Sequence, residues 1–170
     1  MSSDRQMGRG ISRRGFAVIC VLFAAGLAGV PAFPAMKNMA LVVAPLSRLD
    51  NVALADLAKF CRGGTKTWPD GRAFQLVTHD LDAPEMRVAV EKLFGMSPVD
   101  AKLAVVKLNS SRQGNPVVRI VETDEELLRH VAATPGAVGL VDVYSINSGI
   151  KVLRVDGKLP FDAGYPFKGN

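Results

Sequence analysis

Residues 123–141 read TDEELLRHVAATPGAVGLV, and the hydrophobic period changes inside them. Thr123 followed three residues later by Glu126 is a capping box, and the acidic residues of the first turn sit where the helix dipole favours them. Leu127, Leu128 and Val131 then recur at helical spacing. Pro135-Gly136 stops the helix, and Ala137-Val-Gly-Leu-Val141 is a continuous apolar run of the kind found in strands buried on both faces. Gly136 supplies the turn out of the helix, and Gly139 lets a neighbour pack close to a central strand. A helix delivering into a doubly buried strand is the unit of a layered α/β fold.

The alternation continues outward. Upstream, Val117-Val-Arg-Ile-Val121 alternates like a strand, and Asn109 to Pro116 is polar and irregular. Ser97-Pro98-Val99-Asp100 opens a helix through Lys107, with Leu103 and Val106 expected to face inward. Asp82-Ala83-Pro84-Glu85 starts another, capped by Asp82, that shows Met86, Val90 and Leu93 or Phe94 on one face and ends at Gly95. Ala40-Leu-Val-Val-Ala44 and Phe74-Gln-Leu-Val77 read as strands. Between them, Asp50 or Asn51 is placed to cap a helix carrying Leu54, Leu57, Ala58 and Cys61 on one face, ended by Gly63-Gly64. Trp68-Pro69-Asp70-Gly71 is a turn, with Trp68 read as a packing residue. Lys151-Val-Leu-Arg-Val155 is the last strand, Asp156-Gly157 is a turn, and the tail to Asn170 reads as loosely ordered. Five short strands with interleaved helices predict one small, mostly parallel sheet covered on both faces.

The first 35 residues read as an export signal. A basic segment precedes the uncharged run FAVICVLFAAGLAGVPAF at 16–33, and small residues follow, with cleavage expected near Ala32. Ser12-Arg13-Arg14-Gly15-Phe16 resembles a twin-arginine signal, although Ala17 and Val18 depart from its usual continuation; the general secretory route is the alternative. The expected location is the periplasm, with an uncleaved inner-membrane anchor as the rival.

Charge and composition exclude several classes. The formal net charge is +5, but Arg5, Arg9, Arg13 and Arg14 against Asp4 leave only 17 basic and 15 acidic residues after Ala32. No clustered basic footprint for nucleic acid remains. After the signal, Cys61 is the one cysteine, expected as a small buried hydrophobe on a helix face. The sequence holds no CxxC, HExxH, Walker loop or GxSxG elbow, and His79 and His130 lie far apart, so no catalytic set, metal or cofactor is indicated.

Three stretches together resemble the phosphate-binding PstS-type family. They are Val52–Gly63 with Lys66, Trp68, Pro69, Asp70 and Gly71; His130–Val141; and Ile150–Gly157 with Tyr165, Pro166 and Phe167 trailing. The resemblance spans roughly residues 39–167. It implies an α/β fold formed by a single lobe of the type 2 periplasmic binding protein architecture. It implies a solute-binding or accessory role beside a membrane transporter, with phosphate or another oxyanion as ligand and no enzymatic activity. In the family, an Arg or Asp followed by Gly-Ser-Gly-Thr cradles the anion at a helix start. Here that turn reads Thr78-His79-Asp80-Leu81-Asp82-Ala83-Pro84-Glu85, with neither Gly nor Ser. The candidate anion ligands are therefore Thr78, His79 and Arg87 at that turn, and Ser110, Ser111 and Arg112 in the polar loop. The alternative is a non-catalytic interaction module that has lost the anion site. Such a module would contact a periplasmic or membrane protein, or a second copy, through the cleft face a second lobe would cover.

Overall fold

Gly139 lies at the centre of the sheet. It belongs to β5 (Ala137–Asp142), flanked by β3 (Gln75–Thr78) on one side and β1 (Met39–Val43) on the other, with Val77 and Val42 as its cross-strand neighbours. A computed structural model describes residues 37–112 and 114–169; the predicted export signal lies outside them. With β4 (Val118–Ile120) and β6 (Lys151–Val152) the strand order is β4-β3-β5-β1-β6. β4, β3 and β5 are parallel, β1 runs against β5, and β6 runs against β1. Four strands therefore share one direction and β1 alone opposes them, the mostly parallel sheet that the sequence predicts.

Alternation along the strands sorts two cores. Ala40, Val42, Val77, Ala137 and Val141 face α4 (Asp124–Ala133), whose Leu127, Leu128 and Val131 cover them. Leu41, Val43, Leu76, Val138 and Leu140 face the other way, toward α1 (Leu54–Cys61) and α2 (Arg87–Phe94). A Cβ at Gly139 would lie 2.6 Å from Leu127 and 2.9 Å from Val131, so the missing side chain lets α4 pack closely on the sheet. The Trp-Pro-Asp-Gly turn is anchored to the end of α4. Trp68 is buried, its ring packs on Phe60 and Phe74, and its Nε1–H donates to the Gly136 carbonyl at 2.8 Å. Cys61 is fully buried, and burial pushes its thiol up and away from reactivity.

The N-caps at Thr123 and Ser97 form as read, each hydroxyl accepting the N–H three residues on. Two other caps do not. Asn51 belongs to β2 (Asn51–Val52), which pairs with β7 (Arg154–Val155), and the α1 amide of Leu54 is instead satisfied by Asp156 Oδ1 at 3.0 Å. Asp82 is pulled away by Lys102, and a 3-10 turn over Pro84–Met86 leads into α2 without a side-chain cap. The predicted strand 151–155 breaks at Leu153, where the chain leaves β1 for β2.

The third helix, α3 (Pro98–Ser110), corrects two expectations. It runs on past Lys107, so Asn109 and Ser110 are helical. Leu103 and Val106 point outward, while Ala101 and Val105 are buried. Asn109 decides this. Its side chain accepts from the N–H groups of Val117 and Val118 and donates to the Val118 carbonyl, covering the outer edge of β4. Ala101, Val105 and Asn109 are spaced four apart and share one face, so that bonding turns Leu103 out.

The tail is ordered, against expectation. Tyr165 and Phe167 are buried beside β1, the Leu41 N–H donates to the Tyr165 hydroxyl at 3.1 Å, and the Met39 N–H donates to the Phe167 carbonyl. Apolar burial outweighs the ordering entropy of these few residues.

Two outcomes follow for stability. Gly139→Ala should lower the unfolding free energy by about 1–3 kcal/mol, the usual result of overpacking a tight core, in urea titration. Burial pushes the Tyr165 phenol from 10.0 up to about 12. Stability tied to the neutral phenol is therefore present in full below pH 10.0 and lost as pH rises through about 12. Tyr165→Phe should flatten that alkaline loss in thermal scans between those limits, while losing about 1–3 kcal/mol at neutral pH because the Leu41 amide is orphaned.

Candidate functional site

In open α/β sheets ligands gather where parallel strands end. Here β3 ends at Thr78-His79, β4 at Val121-Glu122 and β5 at Asp142, next to the entry of β1 at Lys37 and Met39. A cavity of about 180 Å3 opens there, lined by Lys37, Met39, His79, Glu85, Glu122, Asp124 and Asp142. Four carboxylates thus meet one lysine and one histidine.

Both basic groups are already engaged. His79 faces acceptors on each side: the Val121 carbonyl lies 3.1 Å from Nδ1, and Asp124 Oδ1 lies 2.6 Å from Nε2. The other Asp124 oxygen accepts from the Ser145 hydroxyl in the 3-10 turn after β5. Lys37 Nζ is 3.6 Å from Asp142. The Ser145–Asp124–His79 chain puts the carboxylate between the other two groups. A hydrolytic triad requires the serine on the histidine, so nothing here activates a nucleophile. Among the described residues, no group of His, Cys, Asp and Glu is arranged to hold a metal ion.

The turn after β3 has also committed several of its amides. Pro84 has no N–H. Asp82 N–H donates to Asp80 Oδ1, Ala83 N–H to the Asp80 carbonyl, and Met86 N–H to the Ala83 carbonyl. Lys102 from α3 closes the turn from outside, 2.7 Å from Asp80 Oδ1 and bonded to Asp82. That hydrogen bond, with a smaller one from the Asp82 N–H, holds the Asp80 carboxyl below its usual range. An anion cradle requires free N–H groups aimed outward; Pro84 supplies none, and those of Asp82, Ala83 and Met86 are bonded within the turn.

The candidate residues read from the sequence fall into two places. Thr78 is fully buried, and its hydroxyl donates to Met86 Sδ. His79 lines the cavity. Arg87, at the start of α2, is exposed and does not line it. Ser110, Ser111 and Arg112 lie at the other end of β4, where α3 finishes. The Ser110 and Ser111 hydroxyls donate to the Lys107 and Leu108 carbonyls, as helix C-terminal groups do. Ser111 lines a separate groove with Phe94, Met96 and Leu108. His130 is also remote. It meets Gln75, at the start of β3, where its Nε2 lies 2.6 Å from Oε1, and desolvation followed by Arg119 keeps it below its usual value.

Lys37, Glu122, Asp124, Asp142 and Ser145 were not singled out as site residues by the sequence. Asp124 was visible only as a first-turn acid. No local spacing marks these residues, because strand order alone brings them together.

A mostly parallel sheet with one reversed strand, helices on both faces, and a cavity where the strands end is the fold of a single lobe of the periplasmic binding protein type. No family model and no curated protein matches the sequence significantly, but solved structures share the fold. The chain is similar to an ABC-type phosphate transport receptor from Vibrio cholerae (TM-score 0.56, 18% identity, 74% of this chain and 49% of that one). It is similar to PstS from Borrelia burgdorferi (TM-score 0.59, 19% identity, 80% and 56%). A phosphate binding protein from Stenotrophomonas maltophilia gives a TM-score of 0.53 at 16% identity, over 74% and 41%. The chain spans about half the length of these proteins, and at these identities the likeness is one of fold.

The bonds at Asp124 tie the ends of β3, β4 and α4 to the turn after β5. Asp124→Ala should therefore cost about 1–3 kcal/mol in chemical unfolding, because His79 and Ser145 are both left without a carboxylate. Glu122→Ala, on the same rim but unpaired, should change stability by no more than about 0.5 kcal/mol.

Proposed function

We propose that this chain is a non-catalytic binding module, built as one lobe of a phosphate-type substrate-binding protein, that engages a protein partner and does not hold free phosphate. One observation carries the reading. The place where such a lobe would present an anion cradle carries Glu85, Glu122, Asp124 and Asp142, with its lysine and histidine already paired and the Asp82, Ala83 and Met86 amides bonded within the turn. An anion entering there meets net negative charge at short range, whereas a basic protein surface meets its complement. Export to the periplasm belongs to the same proposal. It is supported by the basic segment and uncharged run of residues 1–33.

The competing reading is an oxyanion-binding solute receptor, which has the fold and the position of the cavity in its favour. Titration calorimetry of the unit from Phe33 onward with inorganic phosphate, at low and moderate salt, separates the two. We expect no saturable heat from folded protein at up to about 1 mM phosphate, the concentration at which a weak site of about −4 kcal/mol would half fill. A saturable heat abolished by Lys37→Ala or His79→Ala would overturn the proposal and restore the receptor.

A further inference from the structure

α3 is apolar on two opposite sides, and only one of them is used. Ala101 and Val105 face the body of the protein, with Asn109 locked onto β4. On the far side Val99, Leu103 and Val106 are 64%, 66% and 67% exposed, and Met96, just before the helix, is 37% exposed. A helix apolar all round is normally covered all round. The other large exposed side chains, Leu46, Ile120, Tyr144 and Phe161, sit singly on separate segments, as surface apolar residues usually do. The α3 residues are different because they form a line.

Their spacing identifies what fits them. Within the helix, Val99, Leu103 and Val106 are separated by steps of four and three residues, the d–a–d pattern of a seam between two helices, and Met96 lies just before its N-cap. Asp100 and Lys107 each directly follow a d position, and so lie on the same flank of that seam. Among the described residues neither has an ion-pair partner. Lys102, on the opposite flank, is committed to Asp80 and Asp82. When two copies of one helix pack antiparallel about a twofold axis, like flanks face each other. Asp100 of each copy then meets Lys107 of the other, twice over. An isologous interface requires that kind of self-complementary patch.

We propose that this chain self-associates through α3, with Met96, Val99, Leu103 and Val106 as the seam and the two reciprocal Asp100–Lys107 pairs setting the antiparallel direction. The groove beside α3, about 420 Å3 and walled by Phe94, Ala104 and Leu108, adds apolar surface at the margin. The seam is short against the roughly 1,600 Å2 that a standard stable interface buries, so the association is a concentration-dependent equilibrium. The α3 surface lies outside the cavity, so the inference stands whether or not the partner proposed above exists.

Sedimentation equilibrium of the unit from Phe33 to Asn170 tests it, since that stretch is a compact unit and both cores are built within it. The weight-average mass should rise from monomer toward dimer across the micromolar range. Leu103→Glu should hold the protein at monomer mass with an unchanged circular dichroism spectrum, because the side chain it replaces touches solvent. Lys107→Glu alone, and Asp100→Lys alone, should each weaken association about threefold or more, since each turns two exposed attractions into repulsions. An equimolar mixture of those two variants should regain the wild-type mass, because both pairs become complementary in the heterodimer. Should Asp100→Lys fail to fold for want of its N-terminal cap, Leu103→Glu and Lys107→Glu decide the matter. A monomer at every concentration, or a dimer indifferent to Leu103→Glu, overturns the proposal.

Discussion

The missing side chain at Gly139 is the constraint on which the rest of the structure depends. A Cβ there would crowd Leu127 and Val131, so α4 packs this closely on the centre of the sheet because none is present. With α4 seated, Thr123 and Asp124 lie at the level where β3 and β4 end. Asp124 then bonds His79 and Ser145, and three separate segments of chain are joined around one carboxylate. The end of α4 is held at its other pole by the Trp68–Gly136 hydrogen bond. A single small residue in the central strand thus determines where the acidic wall of the cavity stands.

The parts of this fold that could be read from the sequence are those decided locally. Thr123 and Ser97 cap their helices because hydroxyl and amide are three residues apart, and no distant group competes. Asp82 and Asn51 have the same chemistry but were claimed by distant partners, Lys102 and the β2–β7 pairing, which no local pattern announces. Leu103 and Val106 show the limit of periodicity. A helix apolar on two sides offers two valid inward faces, and the choice fell to Asn109, which was read as a loop residue. The tail was misread because Tyr165 and Phe167 find their partners more than a hundred positions away.

The site was legible only in part, for the same reason. His79 was visible from the cradle-like turn that contains it. The carboxylates that surround it come from the exits of β4 and β5 and from the first turn of α4, and only strand order makes them neighbours. The likeness to phosphate-type proteins is therefore instructive in a limited sense. The scaffold is shared, and fold alone does not carry a ligand with it.

The way the C-terminal segment closes against β1 has a kinetic consequence. β1 forms no pairing with any segment near it in sequence. Its partners are β5 and β6, and its Leu41 amide waits for Tyr165, 124 positions later. A chain emerging from its N-terminal end therefore carries an unpaired apolar strand until almost all of it is available, and loop-closure entropy must be overcome before the sheet can shut. The sheet can close around β1 only once residues 137–165 are available. In the interval, the exposed run Met39–Val43 is the segment for which a holding chaperone would have the most to shield.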